Sequence, residues 1–207
     1  MSNFEPTVLL CPPSDKEHLE ARNSAEQLCY IEYLVVSLGV SEIRESHVLE
    51  LQRLSVMDIY PCAGSYRSAT TDVRIGGSAH ILPEPALVPS LVQEALTWIN
   101  NPKRKVMERA AYALWRFNWI HPFRGGNGRA SRAIAYFIIC AGSGKMLPGN
   151  VTIPTIIKRQ RDEYIRALKE VDRSELSNHE NPDFSPMIKL LDLALTEQLT
   201  RALANKS

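Results

Sequence analysis

The sequence predicts a mainly α-helical fold, one domain with a single small β-hairpin, and three observations carry that reading. Apolar residues recur at helical spacing along most of the chain. Strict alternation occurs at Thr70-Thr71-Asp72-Val73-Arg74-Ile75, with Gly76-Gly77 following as a turn. No stretch has linker composition and no segment repeats, so the 207 residues read as one domain with its own core.

Each element has its own signal. Ser14 with Glu17 makes a capping box after Pro12-Pro13 and opens a helix expected to run to about Gly39. Ser41 caps a second helix through roughly Leu54. The alternating run sets the hairpin at about residues 70–82. Beyond Pro83, Val88, Leu91, Val92, Ala95 and Ile99 form a helical stripe. After Pro102, Val106, Ala110, Ala113, Leu114 and Phe117 form the next, which stops just before His121. Ile134, Phe137, Ile138 and Ala141 mark a helix closed by Gly142, and Tyr164, Leu168 and Val171 mark another. Ser185-Pro186 begins a last helix with Met187, Leu190, Leu191 and Ala194 inside. The domain is expected to place its core at about 15–175 and this C-terminal helix at about 185–204.

Composition excludes several classes. The net charge is +1, so no global field points to nucleic acid or an acidic membrane, and neither is expected as a partner. The basic runs Lys103-Arg104-Lys105 and Lys158-Arg159-Gln160-Arg161 read as solvated helix starts or faces. Cys11, Cys29, Cys62 and Cys140 are single and far apart, without zinc spacing, and read as reduced, buried thiols. No stretch is apolar enough to span a bilayer, and Met1 to Pro13 lacks the basic start of a signal peptide. A cytoplasmic protein is the expectation.

The chemistry concentrates in His121-Pro122-Phe123-Arg124-Gly125-Gly126-Asn127-Gly128-Arg129-Ala130-Ser131-Arg132. Three glycines in four residues let backbone N–H groups turn toward one point, at the start of a helix whose dipole end is positive. Arg129 and Arg132, three apart, share a face and can fork onto phosphate oxygens. An ordinary glycine-rich loop with two solvated arginines would have the same composition. The flanking residues favour the anion nest: Phe123 is expected to plug into the core, and His121 to end the preceding helix facing the nest as a general base. By contrast, Gly142-Ser143-Gly144-Lys145-Met146 only looks like a P-loop. It follows a helix and lacks the Ser/Thr after the lysine, so it reads as a helix cap and turn.

The His121 to Arg132 pattern resembles the signature of Fic domains, enzymes that typically transfer AMP from ATP to a protein hydroxyl. Ala63-Gly64-Ser65-Tyr66-Arg67, Val73-Arg74-Ile75-Gly76, Leu96-Thr97-Trp98-Ile99-Asn100 and Gln160-Arg161 with Tyr164 and Asp172 extend the likeness over roughly residues 20–175. It implies the Fic fold, a helical bundle with a hairpin flap, and ATP as substrate. It further implies that His121 takes a proton from a Ser, Thr or Tyr hydroxyl of a target protein. Gly126, Asn127 and Gly128 would hold the α- and β-phosphates through backbone and amide donors, and Arg129 and Arg132 would neutralise the β- and γ-phosphates. Val73, Arg74, Ile75 and Gly76 would align the target segment, and Tyr164 and Asp172 would lie near the adenosine.

Two departures qualify the resemblance. Where the family usually carries Asp or Glu to hold Mg²⁺, this chain has Gly125. The ion would then arrive ATP-borne and transfer would be slower by about 10²-fold, recoverable with Gly125→Asp. Many Fic proteins also carry an inhibitory Ser/Thr-x-x-x-Glu-Gly/Asn helix whose glutamate pairs with the motif's second arginine. Neither Ser41 to Glu45 nor Ser90 to Glu94 completes it, so restraint is expected from a separate inhibitory partner or not to be needed. A degenerate domain that binds nucleotide or protein without turnover, or a transferase using another phosphate-containing donor, stands as the alternative.

Overall fold

In the computed structural model, which describes residues 9–61, 63–68, 80–178 and 181–205, the stripes become eight α-helices among the described residues. They are α1 (Lys16–Glu32), α2 (Glu45–Val56), α3 (Val88–Ile99), α4 (Val106–Ile120), α5 (Asn127–Ser143), α6 (Ile153–Arg159), α7 (Arg161–Ser177) and α8 (Ser185–Ala204). The most extensive packing joins α4 to α5. Ala110, Ala113, Ala130 and Ala133 keep both helices slim, while Leu114, Phe117, Ile134 and Phe137 are fully or almost fully buried. Each large apolar side chain buried this way contributes about 1.5–3 kcal/mol. Because the α4–α5 connection is short, the C-terminus of α4 and the N-terminus of α5 meet at one end of the bundle, and that end is the site.

The remaining helices buttress this pair. Helices α1 and α2 pack on each other and on α5, α3 packs on α4, and α8 packs on α4, α6 and α7. Gln198 of α8 is buried, and its Oε1 accepts the Ile153 N–H at 2.8 Å, which fixes the start of α6. Helix α6 carries no separate signal in the sequence, because Pro148, Gly149 and Pro154 obscure its stripe.

Several boundaries differ from expectation for identifiable reasons. The Ser14 capping box does not form: Ser14 Oγ donates to Asp15 Oδ1 at 2.8 Å within a 3-10 turn, Pro13–Asp15, and α1 starts at Lys16. Past Glu32 the chain widens into a π turn, Tyr33–Ser37, before Gly39. Ser41 does not cap α2. The Asn100 amide binds both the N–H and the carbonyl of Ile43, at 3.0 and 2.8 Å, and holds it outside the helix. The helix starts only at Glu45, where the Arg44 N–H donates to His47 Nδ1 at 3.2 Å. Helix α5 runs through Gly142 and is capped by Gly144 at φ 65°, so the P-loop lookalike is a cap and turn.

The expected hairpin at 70–82, including Val73, Arg74, Ile75 and Gly76, lies almost wholly outside the described residues, and residues 80–82 are not in a strand. The chain's approach to it is visible in an antiparallel bridge between Tyr66 and Phe123. The thiol expectation is corrected in part: Cys140 is buried, but Cys29 is exposed and Cys11 only half-buried. Both lie near the N-terminal edge of the bundle, where apolar neighbours in sequence do not guarantee burial. Cys62 lies outside the described residues. No helix among the described residues is long and apolar enough to cross a membrane.

Candidate active site

Helix α4 ends on His121, which adopts the left-handed conformation at φ 48°, ψ 59°. A non-glycine residue there is strained, and such strain gathers at functional positions. The turn brings the imidazole to a cavity of about 490 Å³ shared with Gly128 and Arg132 of α5 and Tyr164 and Asp172 of α7. Phe123 is fully buried and anchors the loop, as expected.

The loop is held by its own side chains. The Phe123 N–H donates to Asn127 Oδ1 at 2.9 Å, and Asn127 Nδ2 donates to the Phe123 carbonyl at 2.8 Å. The Asn127 amide thus clamps the two ends of the loop, and its second Nδ2 hydrogen makes no bond among the described residues. Gly126 sits at φ 76°, and a β-carbon on it would lie 2.5 Å from Val56 Cγ1. Only glycine satisfies both demands. Gln52 of α2 completes the support: its Nε2 donates to the Gly125 carbonyl at 3.0 Å, and its Oε1 accepts the Gly64 N–H at 2.6 Å.

Burial is the main influence on His121 and pushes its pKa down to about 4. The Asn118 backbone opposes this, and the charges of Arg67 and His80 add to it. Its Nδ1 is buried without a full hydrogen bond, so the Asn118 backbone acts on it from outside good geometry. The imidazole is neutral across the working range. Asn118 itself is fixed to α5 and α7, with Nδ2 at 2.9 Å from Ser131 Oγ and 2.6 Å from the Tyr164 hydroxyl.

Both arginines line a small cavity between α1 and α5 that also includes Glu20, and of the two Arg132 also reaches the larger cavity. Arg132 makes no ion pair or hydrogen bond among the described residues; a β-carbon on Gly128 would lie 3.3 Å from its Nη1, so the guanidinium folds back toward the nest. The Arg129 Nη1 lies 3.5 Å from Glu20 Oε1 of α1. Burial pushes both guanidinium pKa values below their ordinary range. Glu20 also lies 3.9 Å from Lys158 Nζ. A carboxylate thus faces the first arginine of the signature from within the chain. Lys16 and Ala21 stand where the inhibitory pattern has Ser/Thr and Gly/Asn, so spacing alone does not single Glu20 out.

Two further cations belong to the cavity. Lys158 and Arg161 stand at its edge while remaining exposed, and Arg159 is exposed too, so the basic run is the solvated face the sequence predicts, and part of it borders the cavity. Asp172 also lines the cavity, with Oδ1 accepting the Trp115 indole N–H at 2.7 Å.

A protein-held magnesium ion does not fit the residues present. Gly125 has no side chain, and the Tyr60 ring occupies the adjoining space: a β-carbon on Gly125 would lie 3.2 Å from Tyr60 Cδ2. No cluster of three or more His, Cys, Asp or Glu able to hold a metal occurs among the described residues.

A left-handed histidine turn is thus set against a glycine nest, at the start of a buried helix, on the Fic fold. Residues 42–139, which contain that turn and nest, match the Fic/DOC family. The chain is similar to protein adenylyltransferase fic-1 of Caenorhabditis briggsae, 30% identical over 140 residues, covering 66% of this chain and 27% of that protein. It is similar to a probable protein adenylyltransferase of Aquifex aeolicus, 28% identical over 107 residues, covering 51% of this chain and 31% of that protein. The chain thus spans about a quarter to a third of the length of these curated relatives. Among solved structures, a Fic domain containing signaling protein from Bacteroides thetaiotaomicron superposes with TM-score 0.73 at 23% identity, covering 93% of this chain and 74% of that one. Fic-1 of Caenorhabditis elegans superposes with TM-score 0.71 at 22% identity, covering 98% and 56%. These structural likenesses carry the fold.

Proposed function

We propose that this chain transfers AMP from ATP to a Ser, Thr or Tyr hydroxyl of a target protein, with His121 as general base. The observation that carries the reading is the convergence of a neutral, desolvated His121 with Gly128 and Arg132 on one cavity at the N-terminus of α5. The adenylyltransferase names of the relatives support it. The apolar wall of the cavity, including Trp119, Ile165 and Leu168 beside Tyr164 and Asp172, suits a nucleoside. The N–H groups at the start of α5 and the cations Arg132, Lys158 and Arg161 suit its phosphates.

In the reaction, the target hydroxyl oxygen bonds to the α-phosphorus while the bond from that phosphorus to the β-bridging oxygen breaks. His121, with its hydrogen on Nδ1, takes the hydroxyl proton on Nε2, and pyrophosphate leaves against the arginine side of the nest. A bound triphosphate adds negative charge near the imidazole and raises its pKa, which strengthens the base at the moment it is needed. Positioning and charge neutralisation supply most of the catalysis. No step is assigned to a protein-bound metal.

The experiment is labelling of cell lysate with ATP carrying the label at the α- or the γ-phosphate, beside His121→Ala. Label from the α-position alone, lost in the variant, is the expected result. Label from γ alone would make the chain a kinase. A second reading, a domain that binds nucleotide or protein without turnover, is favoured by one observation, the absence of a side chain at Gly125 with the Tyr60 ring crowding that position. ATP binding without label from either position would establish it.

A further inference from the structure

The last-turn carbonyls of α4 have no partner within the helix, as at every helix C-terminus. Here side chains from the connection between α2 and α3 take them. His80 Nε2 lies 2.9 Å from the Trp119 carbonyl. Arg67 Nε donates to the His121 carbonyl at 2.9 Å, and its Nη2 reaches the Ile120 carbonyl at 3.4 Å and the Pro83 carbonyl at 2.6 Å. The Arg67 backbone N–H also donates to the Pro122 carbonyl at 2.9 Å. Arg67 is only 6% exposed and forms no ion pair among the described residues, so its hydrogen bonds go to carbonyl oxygens while the Glu84 charge acts on it from beyond contact. That is a costly arrangement to keep unless geometry requires it.

We infer that Arg67 is a positioning residue, whose guanidinium locks the His121 backbone in its left-handed conformation and so fixes where the imidazole meets the substrate. The neighbouring residue makes the anchor independent of His121. Tyr66 pairs with Phe123 through the antiparallel bridge, and its hydroxyl donates to Glu45 Oε1 at 2.9 Å. Glu45 Oε2 in turn accepts from Gln93 Nε2 at 2.7 Å, so the start of α2 and the middle of α3 both hold the segment that carries Arg67. A planar fork reaches three carbonyls at once, which an ammonium on a flexible stem does not. Without the fork, the strained φ of His121 relaxes toward negative values, and the imidazole rotates away from the cavity. The positive charge on Arg67 also helps keep the imidazole neutral.

The inference rests on His121 acting as the base, and its test separates the two claims. In the full chain, Arg67→Gln and Arg67→Lys are compared with wild type by α-labelled ATP turnover, by ATP calorimetry and by the ¹³Cα resonance of His121, which reports its φ and ψ. The expected result for Arg67→Gln is a kcat about 10²-fold lower, on the scale of a misplaced catalytic group, with ATP affinity within about twofold of wild type. The His121 resonance moves away from its left-handed position. Arg67→Lys recovers about tenfold of the lost rate, because one carbonyl contact returns. Full kcat with an unmoved His121 resonance would overturn the inference. So would a loss of ATP-binding stoichiometry in proportion to kcat, which marks a merely structural residue. Absence of label in wild type would instead overturn AMP transfer, and the His121 resonance alone then decides the role of Arg67.

Discussion

The ring of Tyr60 packs beside Gly125, its Cδ2 standing 3.2 Å from the point where a β-carbon would be. The room for any side chain at position 125 is therefore set by a second residue. Lys16 approaches the same ring from α1, 5.6 Å from its centroid, and adds a cation beside it.

This relationship alters what a restored acid can do. Gly125→Asp alone forces the Tyr60 ring aside at a cost of about 1–3 kcal/mol and presents its carboxylate to a blocked space. It is expected to gain no affinity for Mn²⁺ in the presence of ATP, while Gly125→Asp combined with Tyr60→Ala gains it. Titration of Mn²⁺ by paramagnetic resonance reads this directly, and equal affinity of the single and double variants would sink the idea.

Glu20 stands 3.5 Å from Arg129 and competes with any phosphate for that guanidinium. Glu20→Gln keeps the size and removes the charge. ATP is expected to bind about tenfold more tightly, equivalent to roughly 1.4 kcal/mol and within the worth of one charged hydrogen bond. Label transfer rises with it. Calorimetry showing unchanged or weaker ATP binding would remove Glu20 from any regulatory account.

His121 also makes stability depend on pH, with a definite sign. Its pKa falls to about 4 in the folded chain, whereas the unfolded chain titrates near the ordinary 6.5. Between those values the unfolded chain holds the extra proton, so stability falls as pH drops from about 6.5 to about 4, by up to about 3 kcal/mol. Above that window the imidazole is neutral in both states and contributes no slope. Urea unfolding across this range, compared with His121→Asn, is expected to show a shallower slope in the variant. The acid limb of kcat/KM should fall well below the usual histidine range for the same reason.

Gly126 combines a positive φ with the tightest contact of the loop. Gly126→Ala is expected to destabilise the chain by about 2–4 kcal/mol, since Val56 and Ser55 of α2 cannot withdraw from a packed core. Gly144→Ala, at a similar φ with nothing within 4 Å, provides the control and costs about 1 kcal/mol. Chemical denaturation of both variants separates crowding from backbone strain.

Periodicity made most of this fold legible. The stripes of α3, α4, α5, α7 and α8 lay in plain view because each helix turns one apolar face to a single core, and Phe123 could be placed because it follows a helix stop. Helix starts were less visible. Ile43 is drawn out of α2 by Asn100, 57 residues away, and local capping rules contain no term for such a partner. At the site, the types in His121 to Arg132 pointed to phosphate chemistry, but how far each side chain reaches did not follow from spacing. Arg129 and Arg132 sit one turn apart and share a small cavity beside Glu20, yet of the two Arg132 also reaches the larger cavity. Glu20, Tyr60 and Arg67 come from distant segments whose approach only the packed fold reveals.

The paired amide bonds between Asn127 and Phe123 give the signature loop a rigidity of its own. A ligand arriving here meets a socket already cast, with no segment of the loop left to order around it. Loop ordering then adds little to the entropy of association, so affinity differences among donors record the fit of each phosphate tail to a fixed mould.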